Sequence, residues 1–207
     1  VPQIESNVVI CPDVSGSMSS PVTGYRKGAT STVRCIDVAG LVAAAFLRTN
    51  RKARVIPFEQ GVVKIDLNPR DTVLTNASKL AAIGGGGTNC SAPLERLLRE
   101  GAKVDLVVFV SDNESWMDVV RRGSGTGMMQ NWEKLKRFNP NAKLVCIDLV
   151  PYTTTQAMER SDILNVGGFS DAVFEMIAAF AKGELSPEHW VGEIEKIARL
   201  RLSDILP

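Results

Sequence analysis

The sequence predicts an α/β domain with a mostly parallel central sheet, helices on both faces and one short antiparallel edge strand. Three observations carry this. Apolar runs alternate with segments of helical periodicity along the 207 residues, the order that β-α-β units produce. Leu106-Val107-Val108-Phe109-Val110 is continuously apolar, which suits a strand covered on both faces. Finally, oxygen-rich stretches follow two such runs, and open α/β sheets bind ligands beyond the carboxyl ends of their strands.

From the N-terminus, the run Val8-Val9-Ile10-Cys11 marks a strand over 7–13. An Ala-rich stretch gives a helix over 33–48. Strands follow over 53–59 and 62–65; Gln60-Gly61 between them reads as a hairpin-like turn, so 62–65 is the antiparallel edge strand. Asp71 is the expected N-cap of a helix over 72–83. Leu94, Leu97 and Leu98 stand at helical spacing in 91–100. The strand over 105–111, a helix over 131–138, strands over 143–150 and 163–166, and a helix over 170–182 complete the body. Ser186-Pro187, a cap followed by proline at the first helical position, opens a terminal helix. Residues 1–185 are thus expected to form the domain and 186–207 a helical extension packed on it through Trp190, Ile194 and Ile197. Two long loops rich in small residues, 19–32 and 115–130, lie after strand ends.

The formal net charge is +1, which gives no support to a whole-surface polyanion binder. Local basic groups do occur in or beside the long loops: Arg26, Lys27, Arg34, Arg121 and Arg122. The four cysteines, Cys11, Cys35, Cys90 and Cys146, show no paired metal-ligand spacing, and a reducing, cytoplasmic compartment is expected. No apolar run approaches the roughly 20 residues that span a bilayer, so no membrane partner is expected. The chain starts at Val1, as an excised or processed domain would. His189 is the sole histidine, and its isolation argues against a Ser-His-Asp triad.

The chemistry concentrates in three loops: Asp13-Val14-Ser15-Gly16-Ser17, Gly84-Gly85-Gly86-Gly87-Thr88-Asn89 and Ser111-Asp112-Asn113-Glu114. Together they offer Asp13, Ser15, Ser17, Thr88 and Asp112 to one cation. These are hard oxygen donors, suited to Mg²⁺, Mn²⁺ or Ca²⁺ rather than zinc, with Mg²⁺ favoured. Only two of them carry charge, so the ion should seek a further anionic ligand. Asn89, Asn113 and Glu114 stand beside the ligands as candidates to hold them through hydrogen bonds. The glycine run lacks the Gly-Lys-Ser/Thr ending of a phosphate-binding P-loop.

Asp-x-Ser-x-Ser, a Gly-rich threonine far downstream and then a strand ending in Asp resemble the metal-ion-dependent adhesion site of von Willebrand factor type A domains. The resemblance implies a Rossmann-like fold, metal-ligand roles for Asp13, Ser15, Ser17, Thr88 and Asp112, and a protein ligand that supplies a carboxylate to the ion. A narrower match, over roughly residues 7–180, is carried by Asp13-Val14-Ser15-Gly16-Ser17-Met18, Gly86-Gly87-Thr88-Asn89-Cys90-Ser91, Ser111-Asp112-Asn113-Glu114-Ser115 and Gly167-Gly168-Phe169. These resemble the C-terminal half of the TROVE, or Ro ribonucleoprotein autoantigen, family. That resemblance implies a binding module of an RNA-binding protein, in which an upstream ring absent from this chain binds noncoding Y-type RNA and acts in RNA quality control. Family members commonly carry Asp where Asn89 stands. The competing reading is a Mg²⁺-dependent phosphoryl hydrolase with Asp13 as nucleophile. Against it, Ser15 occupies the place of the second carboxylate that Asp-x-Asp phosphatases use. A non-catalytic module is therefore expected.

Overall fold

The computed structural model describes residues 2–23, 31–112, 127–150 and 160–185. Five strands, β1 (Val8–Pro12), β2 (Arg54–Val55), β3 (Leu106–Ser111), β4 (Lys143–Asp148) and β5 (Ile163–Gly167), form one sheet in the order β2-β1-β3-β4-β5. Every pairing is parallel. Five helices accompany them: α1 (Cys35–Thr49), α2 (Val73–Ala81), α3 (Ser91–Arg99), α4 (Gly127–Phe138) and α5 (Ala172–Lys182).

Strand periodicity sorts the core into two layers. Val8 and Ile10, Val108 and Val110, Val145 and Ile147 face one side, packed with Ile36, Val42 and Phe46 of α1 and Ile177 of α5. Val9 and Cys11, Val107 and Phe109, Leu144 and Cys146 face the other, against Leu94 and Leu97 of α3 and Trp132 and Leu135 of α4. β1 and β3 are therefore buried throughout, which is why both read as unbroken apolar runs. α2 lies outside α1 rather than on the sheet, and the helices come close at Gly40. A Cβ there would stand 2.9 Å from the Ala77 carbonyl oxygen.

Several boundaries differ from expectation. The antiparallel strand over 62–65 is reduced to a single bridge between Phe58 and Val62, made by Val63 N–H donating to Pro57 O at 2.8 Å and Glu59 N–H donating to Gly61 O at 2.9 Å. The sheet itself is wholly parallel. Thr72, not Asp71, caps α2: its Oγ1 accepts from Thr75 N–H at 3.1 Å, while Asp71 pairs with Lys79. α4 begins at Gly127, a full turn before the expected start, with Met128 buried on the same face as Trp132 and Leu135. The segment expected to form a terminal helix, with His189, Trp190, Ile194 and Ile197, and the basic residues Arg26, Lys27, Arg121 and Arg122 lie outside the described residues. Arg34 forms an exposed ion pair with Asp37 at 2.6 Å.

From β1 the chain runs outward to β2, then returns past β1 to β3 and on to β4 and β5. Strand order thus reverses between β1 and β3. Loops leaving these neighbours part in opposite directions and leave a crevice at the carboxyl edge.

Candidate metal centre

The first loop is pinned at both ends. Val14 and Met18 are buried in the core, so Ser15 and Ser17 are held between two apolar anchors. A short 3-10 turn over Gly16–Ser19 carries the segment. Asp13 extends the β1–β3 ladder, its N–H donating to Val110 O at 2.9 Å, and Val14 N–H donates to Phe58 O at 2.9 Å. Asp13 is fully buried (0% exposed). Its Oδ1 accepts from Ser15 N–H at 2.8 Å and its Oδ2 from Ser111 Oγ at 2.7 Å. Ser15 Oγ and Ser17 Oγ lie 3.3 Å apart.

The glycine loop is docked on the first. Gly16 N–H donates to Gly86 O at 3.2 Å, and Asn89 N–H to Glu59 O at 2.7 Å. Gly86 takes φ +70°, and a Cβ there would stand 2.5 Å from Glu59 Oε2. Glycine meets both demands, left-handed backbone and close approach. Half-buried Thr88 follows two residues later. Asn89 is spent on the loop itself: its Oδ1 accepts from Ser91 N–H at 3.0 Å and its Nδ2 donates to Gln60 O at 3.3 Å.

The third loop follows β3. Ser111 ties it to Asp13, and Asp112 is 6% exposed with an Oδ1 that has no hydrogen-bond partner among the described residues. Asn113 and Glu114 lie outside them.

Burial pushes the Asp13 carboxyl above its ordinary range, and the Asp112 charge adds to this. Hydrogen bonds from Ser15 and Ser111 oppose it. A carboxylate kept from water and beside a like charge gains from an added cation. One acidic residue at this sheet end was not singled out from the sequence. Asp148, the last residue of β4, is 5% exposed; its Oδ1 accepts from Val150 N–H at 3.2 Å and its Oδ2 has no partner among the described residues. Its carboxyl is pushed up to about 6, by burial first and then by the Asp112 charge. Its signal was a lone acid at the end of the apolar run Leu144-Val145-Cys146-Ile147. Ser111 was also missed as the group that orients Asp13.

Two carboxylates and three hydroxyls thus belong to three loops at the switch point of a parallel sheet, the glycine loop and the loop after β3 each tethered to the Asp13 loop. Such donors suit a hard, oxygen-seeking cation, and the orphaned Asp112 oxygen is a place where one would be held.

The fold and this loop arrangement are those of a von Willebrand factor type A domain. A family model described as the Ro60 vWA domain matches residues 7–181, and the chain belongs to that family. It is 30% identical over 174 residues to a Deinococcus radiodurans protein named RNA-binding protein RO60, covering 84% of this chain and 31% of the relative. The crystal structure of the Deinococcus radiodurans RO (RSR) protein superposes with a TM-score of 0.69 at 27% identity, over 87% of this chain and 35% of that one. The chain therefore spans about a third of the length of these relatives. No helix among the described residues is long and apolar enough to cross a membrane.

Proposed function

We propose that this domain is a divalent-cation-dependent protein-binding module. Asp13, Ser15, Ser17, Thr88 and Asp112 hold the ion, with Mg²⁺ favoured over Mn²⁺ and Ca²⁺. The single observation that carries the reading is the buried Asp112 Oδ1 without a partner, one residue from the serine that orients Asp13. Leaving such an oxygen unsatisfied costs about 1–3 kcal/mol, more for a charged group. A bound cation would remove that cost. Two charges and three neutral oxygens leave a divalent ion electron-poor, so an aspartate or glutamate of a partner protein would complete its shell.

Binding is favoured over catalysis because Ser15 stands where a phosphoryl hydrolase of the Asp-x-Asp kind needs a second carboxylate as acid–base. The relative's name points to RNA as a partner of the longer protein. We assign RNA contact to parts of that protein outside this chain, since this chain's net charge of +1 offers little phosphate attraction.

Calorimetric titration of Mg²⁺ into the wild-type chain and D112N tests the reading. Binding by wild type and its loss in D112N is expected; binding that D112N retains unchanged contradicts it. A phosphatase assay with Mg²⁺ covers the catalytic alternative, and turnover abolished by D13A would overturn the non-catalytic assignment.

A further inference from the structure

Asp13, Asp112 and Asp148 end or directly follow three adjacent strands, β1, β3 and β4. In the β3–β4 register Ser111 pairs with Asp148, and Leu149 N–H donates to Ser111 O at 2.8 Å. Asp148 therefore stands one register position from Asp112 at the same sheet edge. The two are 6% and 5% exposed, and each has one carboxylate oxygen with no partner among the described residues. The backbone leaves little freedom to turn Asp148 away, because its own C=O accepts from Gly168 N–H at 2.6 Å and its Oδ1 from Val150 N–H. Cys35, at the first turn of α1, faces the same charges: its thiol is pushed up to about 11, by burial first and then by Asp112, Asp148 and Asp13.

Two neighbouring buried carboxylates with orphaned oxygens are costly unless a cation or a proton neutralises them. We propose that Asp148 is a third anionic group of the cation site, adding its charge behind Asp112 to tighten the hold on a divalent ion. This rests on the proposed function, in that it presumes an ion at Asp13 and Asp112. It goes further by giving this chain a third charge where Asp-x-Ser-x-Ser, threonine and aspartate supply two. Asp148 is a positioning residue: no three acidic, cysteine or histidine side chains among the described residues stand close enough together to share one ion, so Asp148 strengthens the field at the ion without standing among the five assigned ligands.

The test is calorimetric titration of Mg²⁺, repeated with Mn²⁺, into the full 207-residue chain and its D148N variant at pH 8, with thermal denaturation of both in chelator. D148N should bind at least about tenfold more weakly, or about 1.4 kcal/mol. Without metal it should be as stable as wild type or more so, since the substitution removes an uncompensated buried charge. Equal affinity of the two chains overturns the role of Asp148 alone. A D148N chain that is less stable than wild type in chelator also overturns it, because the charge would then be satisfied within the protein. A wild-type chain that takes up neither metal defeats the cation site as a whole, which separates the two failures.

Discussion

Replacing Gly86 by alanine probes the contact that docks the glycine loop on the Asp13 loop. Gly86 has φ +70° and its carbonyl accepts from Gly16 N–H at 3.2 Å. A non-glycine residue in left-handed backbone costs about 1–2 kcal/mol. The added Cβ would also stand 2.5 Å from Glu59 Oε2 and 2.8 Å from Glu59 Cδ. That side chain is flexible, so it swings aside at a cost of about 0.5–1.5 kcal/mol for an unfavourable rotamer. Against these, alanine restricts the unfolded chain and returns about 0.4–1 kcal/mol. The net expectation is a destabilisation of about 2 kcal/mol, or a fall in Tm of about 4–8 °C for a domain of this size. Thermal and urea denaturation of G86A measure it. The double variant G86A/E59A should recover the side-chain part and leave the backbone part. A G86A chain as stable as wild type would refute this account of the loop, and so would a double variant that recovers nothing.

Gly40 sets two effects against each other. Alanine is the better helix former by about 1 kcal/mol, yet its Cβ would lie 2.9 Å from the Ala77 carbonyl oxygen, a backbone atom that cannot swing aside. Overpacking of about 1–3 kcal/mol should win, so urea denaturation of G40A should show lower stability; a gain would mean that α2 shifts freely on α1. Asp148 predicts a pH dependence. Its folded carboxyl is pushed up to about 6 from 3.8, so the folded chain holds the proton more tightly than the unfolded one. Without metal, stability from this group is present below about pH 4 and is lost as pH rises through about 6, by roughly 1–2 kcal/mol once solvent screening is allowed for. The unfolding free energy of wild type minus that of D148N should therefore fall between pH 4 and 7 in chelator; a flat or rising difference contradicts it.

Strands β1 and β3 were legible because both of their faces are covered, so nearly every residue of Val8–Pro12 and Leu106–Ser111 is apolar. The edges were harder to read. Val62 does pair with Phe58 across the Gln60-Gly61 turn, but the ladder ends after that one bridge, a length that strand composition alone does not set. Asp is the better cap by residue type, yet Thr72 caps α2 while Asp71 pairs with Lys79, a choice made by the tertiary setting of the turn. In the candidate site, the loop signature Asp13–Ser17 was legible because it is local. Ser111 and Asp148 were not, since they acquire meaning only when β3 is set beside β1 and β4. Asn89 was legible as a neighbour of Thr88, but its hydrogen bonds to Ser91 N–H and Gln60 O could not be read from the sequence.

The central claim is that one divalent cation sits where the three loops meet. A crystal of the full chain grown with Mn²⁺ and measured at the manganese absorption edge tests it most directly. The account predicts one anomalous peak within bonding distance of Ser15 Oγ and Ser17 Oγ, adjoining Thr88, Asp13 and Asp112, with a carboxylate or water from outside the chain at the remaining position. No peak at saturating Mn²⁺, or a peak away from these residues, would contradict it.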